Sequence, residues 1–308
     1  MSLIGVGQLE LKTVFYGTPS SPVILLIQGL GTPLTRWPMT LIEKLAAAGF
    51  RVIAFDNRDC GLSTRMDALG LPNVKQMMKR KIFALPFPGM FPALSGLPAA
   101  LPYTLADMAA DAVGLLDALG INAAHIVGAS LGGMVAQLVA THYPERCLSL
   151  TSIMSSSGNP LLPPPTPAAL HALFAPLPGE CDEASLVEDS IWRQKVLMSP
   201  GYPTPDEELR AMFTAEYRRG GFHPPGVIRQ LLALLAAGDR RTQLMAIRVP
   251  TVVLHGLDDP LINVACGRDT AAVIPGAEFR AIPGMGHDFP EALAGEFASA
   301  IMSAVQRQ

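Results

Sequence analysis

The chain has 308 residues, 49% of them hydrophobic and 16% charged, with a formal net charge of −3 from 23 basic and 26 acidic side chains. That length fits one large α/β domain or a core with an inserted subdomain, and the apolar fraction excludes a disordered chain. The slightly acidic balance leaves no basic footprint for nucleic acid.

Residues 23–27 (VILLI) form a continuous apolar run ending at Gly29, the pattern of a strand buried on both faces. Residues 38–48 put Leu41, Ile42 and Leu45 on one helical face, and Gly49 stops that helix. A second strand is expected at 51–56 (RVIAFD). Thr104, followed three residues later by Asp107, opens a helix that ends at Gly120. Then come a strand at 125–127, a helix at 131–142 stopped before Pro144, and a strand at 148–154. From 155 to 248 there is no strand signal; prolines crowd 160–167, and helical pieces follow at 183–198, 205–219 and 227–237. Alternation resumes with a strand at 251–255, a helix near 265–274, a strand at 278–282 and a last helix after Pro290. The pattern predicts an α/β fold: a mostly parallel central sheet with helices on both faces. Residues 1–154 and 249–308 make its core, and 155–248 an inserted helical cap.

Residues 82–106 carry no charge and follow Lys79-Arg80-Lys81. Five prolines between 86 and 102 rule out a spanning helix, because each removes a backbone donor and clashes with the preceding turn. Two readings remain for this apolar insert near 73–102. It folds down as a second lid over the site, or residues 75–102 make a weak contact with an anionic membrane surface through Lys75 and the basic triplet.

Gly128-Ala129-Ser130-Leu131-Gly132 is a G-x-S-x-G pentapeptide between a strand and a helix. There the glycines permit a strained turn that exposes the serine hydroxyl near the helix N-terminus, where developing negative charge is favoured. A serine hydroxyl is a weak nucleophile and needs a base, itself oriented by an acid. In this strand–turn–helix setting the partners follow in the order acid, then histidine. Among six histidines, His287 lies in a glycine-rich loop beyond the last strand, whereas His255 and His125 sit in strands, His142 ends a helix, and His171 and His223 belong to the cap. His287 is therefore the expected base. Asp258 and Asp259 lie together at the end of the strand at 251–255. The position three residues after Gly256 and just before Pro260 selects Asp259, with Asp258 as the alternative. The expected oxyanion donors are the backbone N–H groups of Leu131, after the nucleophile, and Leu30, in the loop after the first buried strand. The run Asp56-Asn57-Arg58-Asp59 reads as a turn-stabilising ion-pair cluster, and Cys60 beside it has no base to activate it.

The motifs LLIQGLG, FDNRDCGLST, TLADMAADAVGLLDALGI, AHIVGASLGG, VPTVVLHGLDDPL and IPGMGHDFP occur in this order along nearly the whole chain. With them the chain resembles the α/β-hydrolase superfamily, and within it the aclacinomycin methylesterase-like group of serine esterases. The resemblance implies an α/β-hydrolase fold and a Ser–Asp–His triad with backbone oxyanion donors on the positions derived above. Two departures are Gln28, where a histidine often precedes the oxyanion glycine, and the longer stretch at 73–102.

The expected function is hydrolysis of carboxylic esters, hydrophobic or methyl-type, through an acyl-enzyme on Ser130. Thioesterase, lactonase, carbon–carbon bond hydrolase and perhydrolase chemistry would use the same triad, and a silent ligand-binding scaffold is a further alternative. The expected partner is a small hydrophobic ester, with no nucleic acid. No metal or organic cofactor is expected, since no H-E-x-x-H, cysteine–histidine cluster or G-x-G-x-x-G after a strand is present. The four cysteines (Cys60, Cys147, Cys181 and Cys266) form no C-x-x-C pair. Without a basic n-region before a long apolar run at the N-terminus, no signal peptide is read and a cytoplasmic location is the expectation.

Overall fold

The structure, a computed structural model, describes residues 1–70, 101–178 and 182–307. Nearly all of the insert at 73–102, with its lid and membrane readings, lies outside the described residues, as does Cys181. Cys60, Cys147 and Cys266 are buried free thiols. Among the described residues, no helix is long and apolar enough to cross a membrane.

Eight strands form one sheet: β1 (Ser2–Val6), β2 (Leu9–Tyr16), β3 (Val23–Ile27), β4 (Arg51–Phe55), β5 (Ala124–Ala129), β6 (Cys147–Ile153), β7 (Thr251–Gly256) and β8 (Glu278–Ile282). Their spatial order is β1-β2-β4-β3-β5-β6-β7-β8. From β4 to β8 every neighbouring pair is parallel, whereas β1 pairs antiparallel with β2, and β2 antiparallel with β4. The first hairpin was not among the expected strands, although Leu9, Leu11 and Thr13 are buried and alternate with the more exposed Glu10 and Lys12. That is the period-2 signature of a strand with one wet face.

The β3 run explains the layering. Its five side chains are all buried, with Ile24 and Leu26 in one apolar cluster and Val23, Leu25 and Ile27 in another. Helices α1 (Met39–Ala47) and α10 (Ala294–Gln306) close the first face with Leu41, Leu45, Phe297 and Ile301. Helices α2 (Leu105–Ala118) and α3 (Leu131–His142) close the second with Met108, Leu115, Val135 and Val139. Thr104 caps α2 reciprocally with Asp107: its hydroxyl accepts from the Asp107 amide at 3.2 Å, and the Asp107 carboxylate accepts from the Thr104 amide at 2.7 Å.

Between β6 and β7 lie α4 (Pro167–Phe174), α5 (Glu183–Leu197), α6 (Asp206–Gly220), α7 (Pro224–Ala237) and α8 (Arg241–Leu244). Val187, Ile191 and Leu209 give α5 and α6 a small core of their own. Later in the chain, α9 (Val264–Val273) links β7 to β8. Helix α7 is bound to the sheet region by polar contacts. Arg229 donates to both oxygens of Asp59, at 2.8 and 2.7 Å, and to Asp67 at 2.9 Å, while Tyr103 donates to Asp59 at 2.8 Å. The side chains of Asp59 and Arg229 are both almost wholly buried. Arg229→Ala would leave the Asp59 carboxylate buried without its guanidinium partner, and is expected to destabilise the protein by about 3–5 kcal/mol. Urea denaturation of the variant beside the parent measures this.

Candidate active site

The chain crosses from one side of β3 to the other when it passes from β4 to β5, so β3 and β5 flank the point where strand order reverses. In open α/β sheets the crevice at the carboxyl ends of such strands is where ligands bind. Ser130 follows β5 there, and the loop Gln28-Gly29-Leu30-Gly31 follows β3.

Ser130 adopts φ 54 and ψ −121, a left-handed conformation that a side-chain-bearing residue rarely takes. Its surroundings hold it there. The Ser130 amide donates to the Ile153 carbonyl at 2.9 Å, and the Ser155 hydroxyl donates to the Ser130 carbonyl at 2.7 Å. A Cβ at Gly132 would stand 2.1 Å from the Ile27 carbonyl oxygen, and one at Gly128 2.1 Å from that of Gly132. Only glycine lets α3 start this close to β3 and β5.

The structure brings Ser130, His287 and Asp259 into one chain of hydrogen bonds. His287 Nδ1 lies 2.8 Å from Asp259 Oδ2, and Nε2 lies 3.0 Å from Ser130 Oγ. With an ionised carboxylate on Nδ1, the ring proton sits on that nitrogen, and the Nε2 lone pair is left to accept from the serine hydroxyl. The other Asp259 oxygen accepts from the Leu261 and Ile262 amides at 2.9 and 2.8 Å. Burial alone would raise the Asp259 carboxyl; the field of His287 and the side-chain hydrogen bonds of His255 and His287 outweigh it and hold the group well below the ordinary range.

Asp258 is placed differently. Its carboxylate accepts from the Gly284 amide at 2.8 Å, and its own amide donates to the Met285 carbonyl at 3.0 Å. It therefore anchors the loop that carries His287. His255, read from the sequence as satisfying local backbone, does so through Nε2 at 2.7 Å from the Ile262 carbonyl oxygen. The same nitrogen is 3.4 Å from Asp259 Oδ2, so His255 also touches the candidate acid from behind. The sequence held one signal for this contact: His255 precedes Asp259 by four residues across a tight turn.

The loop bearing Leu30 packs on the serine. A Cβ at Gly29 would stand 3.2 Å from Ser130 Cβ. Gln230 of α7 fixes this loop by accepting from the Gly31 amide at 2.8 Å while donating to the Arg58 carbonyl at 2.7 Å. The Leu30 and Leu131 amides donate to no described residue, which leaves both free for an oxyanion.

The Asp56–Asp59 turn is a dense polar hub. Asp56 accepts from the Leu34 and Leu62 amides and from Arg219, at 2.7, 2.9 and 2.8 Å, and Arg58 pairs with Asp111. Burial raises the Cys60 thiol far above its ordinary value, so it holds no reactive thiolate. Asp59, Asp67 and His223 offer three clustered ligand atoms, yet the Arg229 guanidinium already bonds both carboxylates and occupies the place of a cation.

Asp288 was not singled out by its sequence position. Burial pushes its carboxyl up to about 6, against hydrogen bonds from the Ser199 hydroxyl and amide that lower it. A raised folded value means that the stability this group contributes is complete below its unfolded value of 3.8 and is lost as pH rises through about 6. Asp288→Asn keeps an acceptor for Ser199 and cannot ionise. It is expected to match the parent near pH 4 and to exceed it by about 1–3 kcal/mol at pH 8; thermal melts at both pH values measure the difference.

Residues 22–291 match the family described as the alpha/beta hydrolase fold. The chain belongs to that family and is a hydrolase by fold and sequence. It is 31% identical to the rhodomycin D methylesterase DnrP of Streptomyces peucetius over 92% of this chain and 91% of that protein. It is 30% identical to the rhodomycin D methylesterase DauP of Streptomyces sp. strain C5, with the same coverage of 92% and 91%. Among solved structures it resembles a hydrolase from Pseudomonas aeruginosa PA01, with a TM-score of 0.68, 24% identity and coverage of 98% and 97% of the two chains.

Proposed function

We propose that this protein is a serine hydrolase of carboxylic esters, hydrophobic or methyl-type, working through an acyl-enzyme on Ser130. The observation that carries this reading is the continuous hydrogen-bonded chain from the Ser130 hydroxyl through His287 to the buried Asp259, at 3.0 and 2.8 Å. The similarity to two methylesterases over nine-tenths of the chain supports the ester as substrate.

His287 Nε2 takes the proton as Ser130 Oγ attacks the ester carbonyl. The tetrahedral oxygen is held by the Leu30 and Leu131 amides near the start of α3, whose dipole favours negative charge there. Collapse breaks the bond to the alcohol, and His287 hands its proton to the leaving oxygen. Water, deprotonated by the same imidazole, then attacks the acyl carbon; the acid departs and Ser130 recovers its proton. Asp259 stays ionised throughout and stabilises the imidazolium.

Treatment with a fluorophosphonate probe, followed by peptide mapping, tests this reading. The probe is expected to attach to Ser130 and to abolish hydrolysis of p-nitrophenyl esters in proportion to labelling. A protein that hydrolyses esters while Ser130 stays unlabelled, or that does neither, would refute it.

A further inference from the structure

Ser130 stands at the junction of two cavities, and Leu30, Leu173 and Leu261 are likewise in the walls of both. One cavity, of about 140 Å³, is bounded mainly by aliphatic side chains and prolines, including Met134, Leu162, Leu170, Leu231 and Leu234. Phe174 and Leu235, also from the helices between β6 and β7, complete this apolar wall. Not every leucine of this region faces the cavity: Leu161 is 84% exposed, and Leu232 is buried outside the lining. The other cavity, of about 640 Å³, has a mixed wall with Gln28, Trp37, Gln194, Glu208 and Asp288. His287 is in the wall of this wider cavity and not of the apolar one.

From this asymmetry, and resting on the serine-esterase reading above, we propose that the apolar cavity receives the acyl group and the wider one a polar alcohol larger than methanol, which narrows that reading from methyl-type esters to esters of a hydrophobic acid. The reason is the path of the proton. The Nε2 that takes the Ser130 proton must deliver it to the leaving oxygen, so the alcohol has to sit on the side to which His287 contributes. The acyl carbon is meanwhile bonded to Ser130 Oγ, with its oxygen toward Leu30 and Leu131. Its chain is left with the other opening, where no described Asp, Glu, His, Lys or Arg other than Arg240 contributes to the wall. After the alcohol departs, water enters through the space it vacated and meets the same imidazole, while the acyl chain stays in apolar surroundings.

The character of the alcohol follows from the wall. Thr32, Thr35, Gln194 and Thr204 add polar side chains to this wall. Covering polar groups with an alkyl ligand leaves them unpaired, so an oxygen-rich ligand is favoured over an alkyl one of equal size. Glu208, Asp288 and Glu291 are acidic, and the one arginine of this wall, Arg36, is already bound by Glu216. The cavity therefore suits a neutral hydroxylated alcohol and disfavours an anionic one.

Two ester series on the intact protein separate the cavities: acyl chains of growing length on p-nitrophenol, and methyl, propyl and glyceryl esters of one acid. The parent is expected to favour the glyceryl over the propyl ester. Leu234→Trp, which fills the apolar cavity, is expected to lower the octanoate-to-acetate ratio of kcat/KM at least ~10-fold and to leave the glyceryl-to-methyl ratio in place. Met212→Trp, in the wall of the wider cavity alone, is expected to do the reverse. Fluorophosphonate labelling of each variant shows that its site is folded. Swapped effects, or two labelled variants with parental ratios, would overturn the assignment of cavities while leaving the serine-hydrolase reading intact. A parent that neither labels nor hydrolyses any ester overturns both.

Discussion

Ser130→Ala is expected to lower kcat for ester hydrolysis by at least ~10⁴-fold, because the acyl group then has no oxygen to bond and only binding and the oxyanion amides remain. The folded state should survive. Alanine meets the same steric conflict at φ 54 that serine does, and the Ser130 backbone contacts with Ile153 and Ser155 involve no side-chain atom of residue 130. Glycine at this position removes that conflict. Ser130→Gly should therefore be as inactive as the alanine variant yet more stable than it by about 1 kcal/mol, the strain of a left-handed residue less the entropy that glycine loses on folding. Stopped assays with concentrated enzyme and parallel thermal melts read both effects. Activity of the alanine variant within ten-fold of the parent, a barrier difference under about 1.4 kcal/mol, would remove Ser130 from the nucleophile's role.

Asp259→Asn is expected to lower kcat by ~10⁴-fold, whereas Asp258→Asn should cost less than ~10-fold. An amide at 259 can donate to His287 Nδ1, which moves the ring proton to Nε2 and leaves no lone pair for the serine hydroxyl. It also withdraws the negative charge that stabilises the imidazolium. Asn at 258 keeps an acceptor for the Gly284 amide, so the loop bearing His287 stays anchored. A larger loss from the 258 variant than from the 259 variant would reverse the assignment of the acid. The Asp259 carboxyl lies below its unfolded value in the folded protein, so its contribution to stability is complete above about pH 4 and fades at lower pH. Kinetic comparison of the two variants belongs above that range.

Much of the architecture was legible because short-range rules govern it. The apolar run at 23–27 can be buried only in a sheet covered on both faces, and Thr104 with Asp107 carries its own helix start. The stop before Pro144 and the glycines about Ser130 act within a few residues of where they lie. The N-terminal hairpin escaped notice because its alternation is brief and its partner, β4, lies some forty residues on; the pairing of Thr13 with Phe55 is a tertiary event.

The sequence by itself determined that a serine would stand on a tight turn between β5 and α3, with a histidine and two adjacent carboxylates at later strand ends. Which groups meet was decided only by the tertiary structure. Asp259 faces His287 and Asp258 faces the Gly284 amide because successive residues of a turn point in different directions, and spacing along the chain does not say which direction leads to a loop 28 residues away. The contact of His255 with Asp259, the half-buried Asp288 beside Ser199, and the two cavities meeting at Ser130 all depend on how separate segments pack. Local propensity acts through bonds and neighbours a few residues apart, whereas burial, field and cavity shape arise from segments brought together over the whole chain.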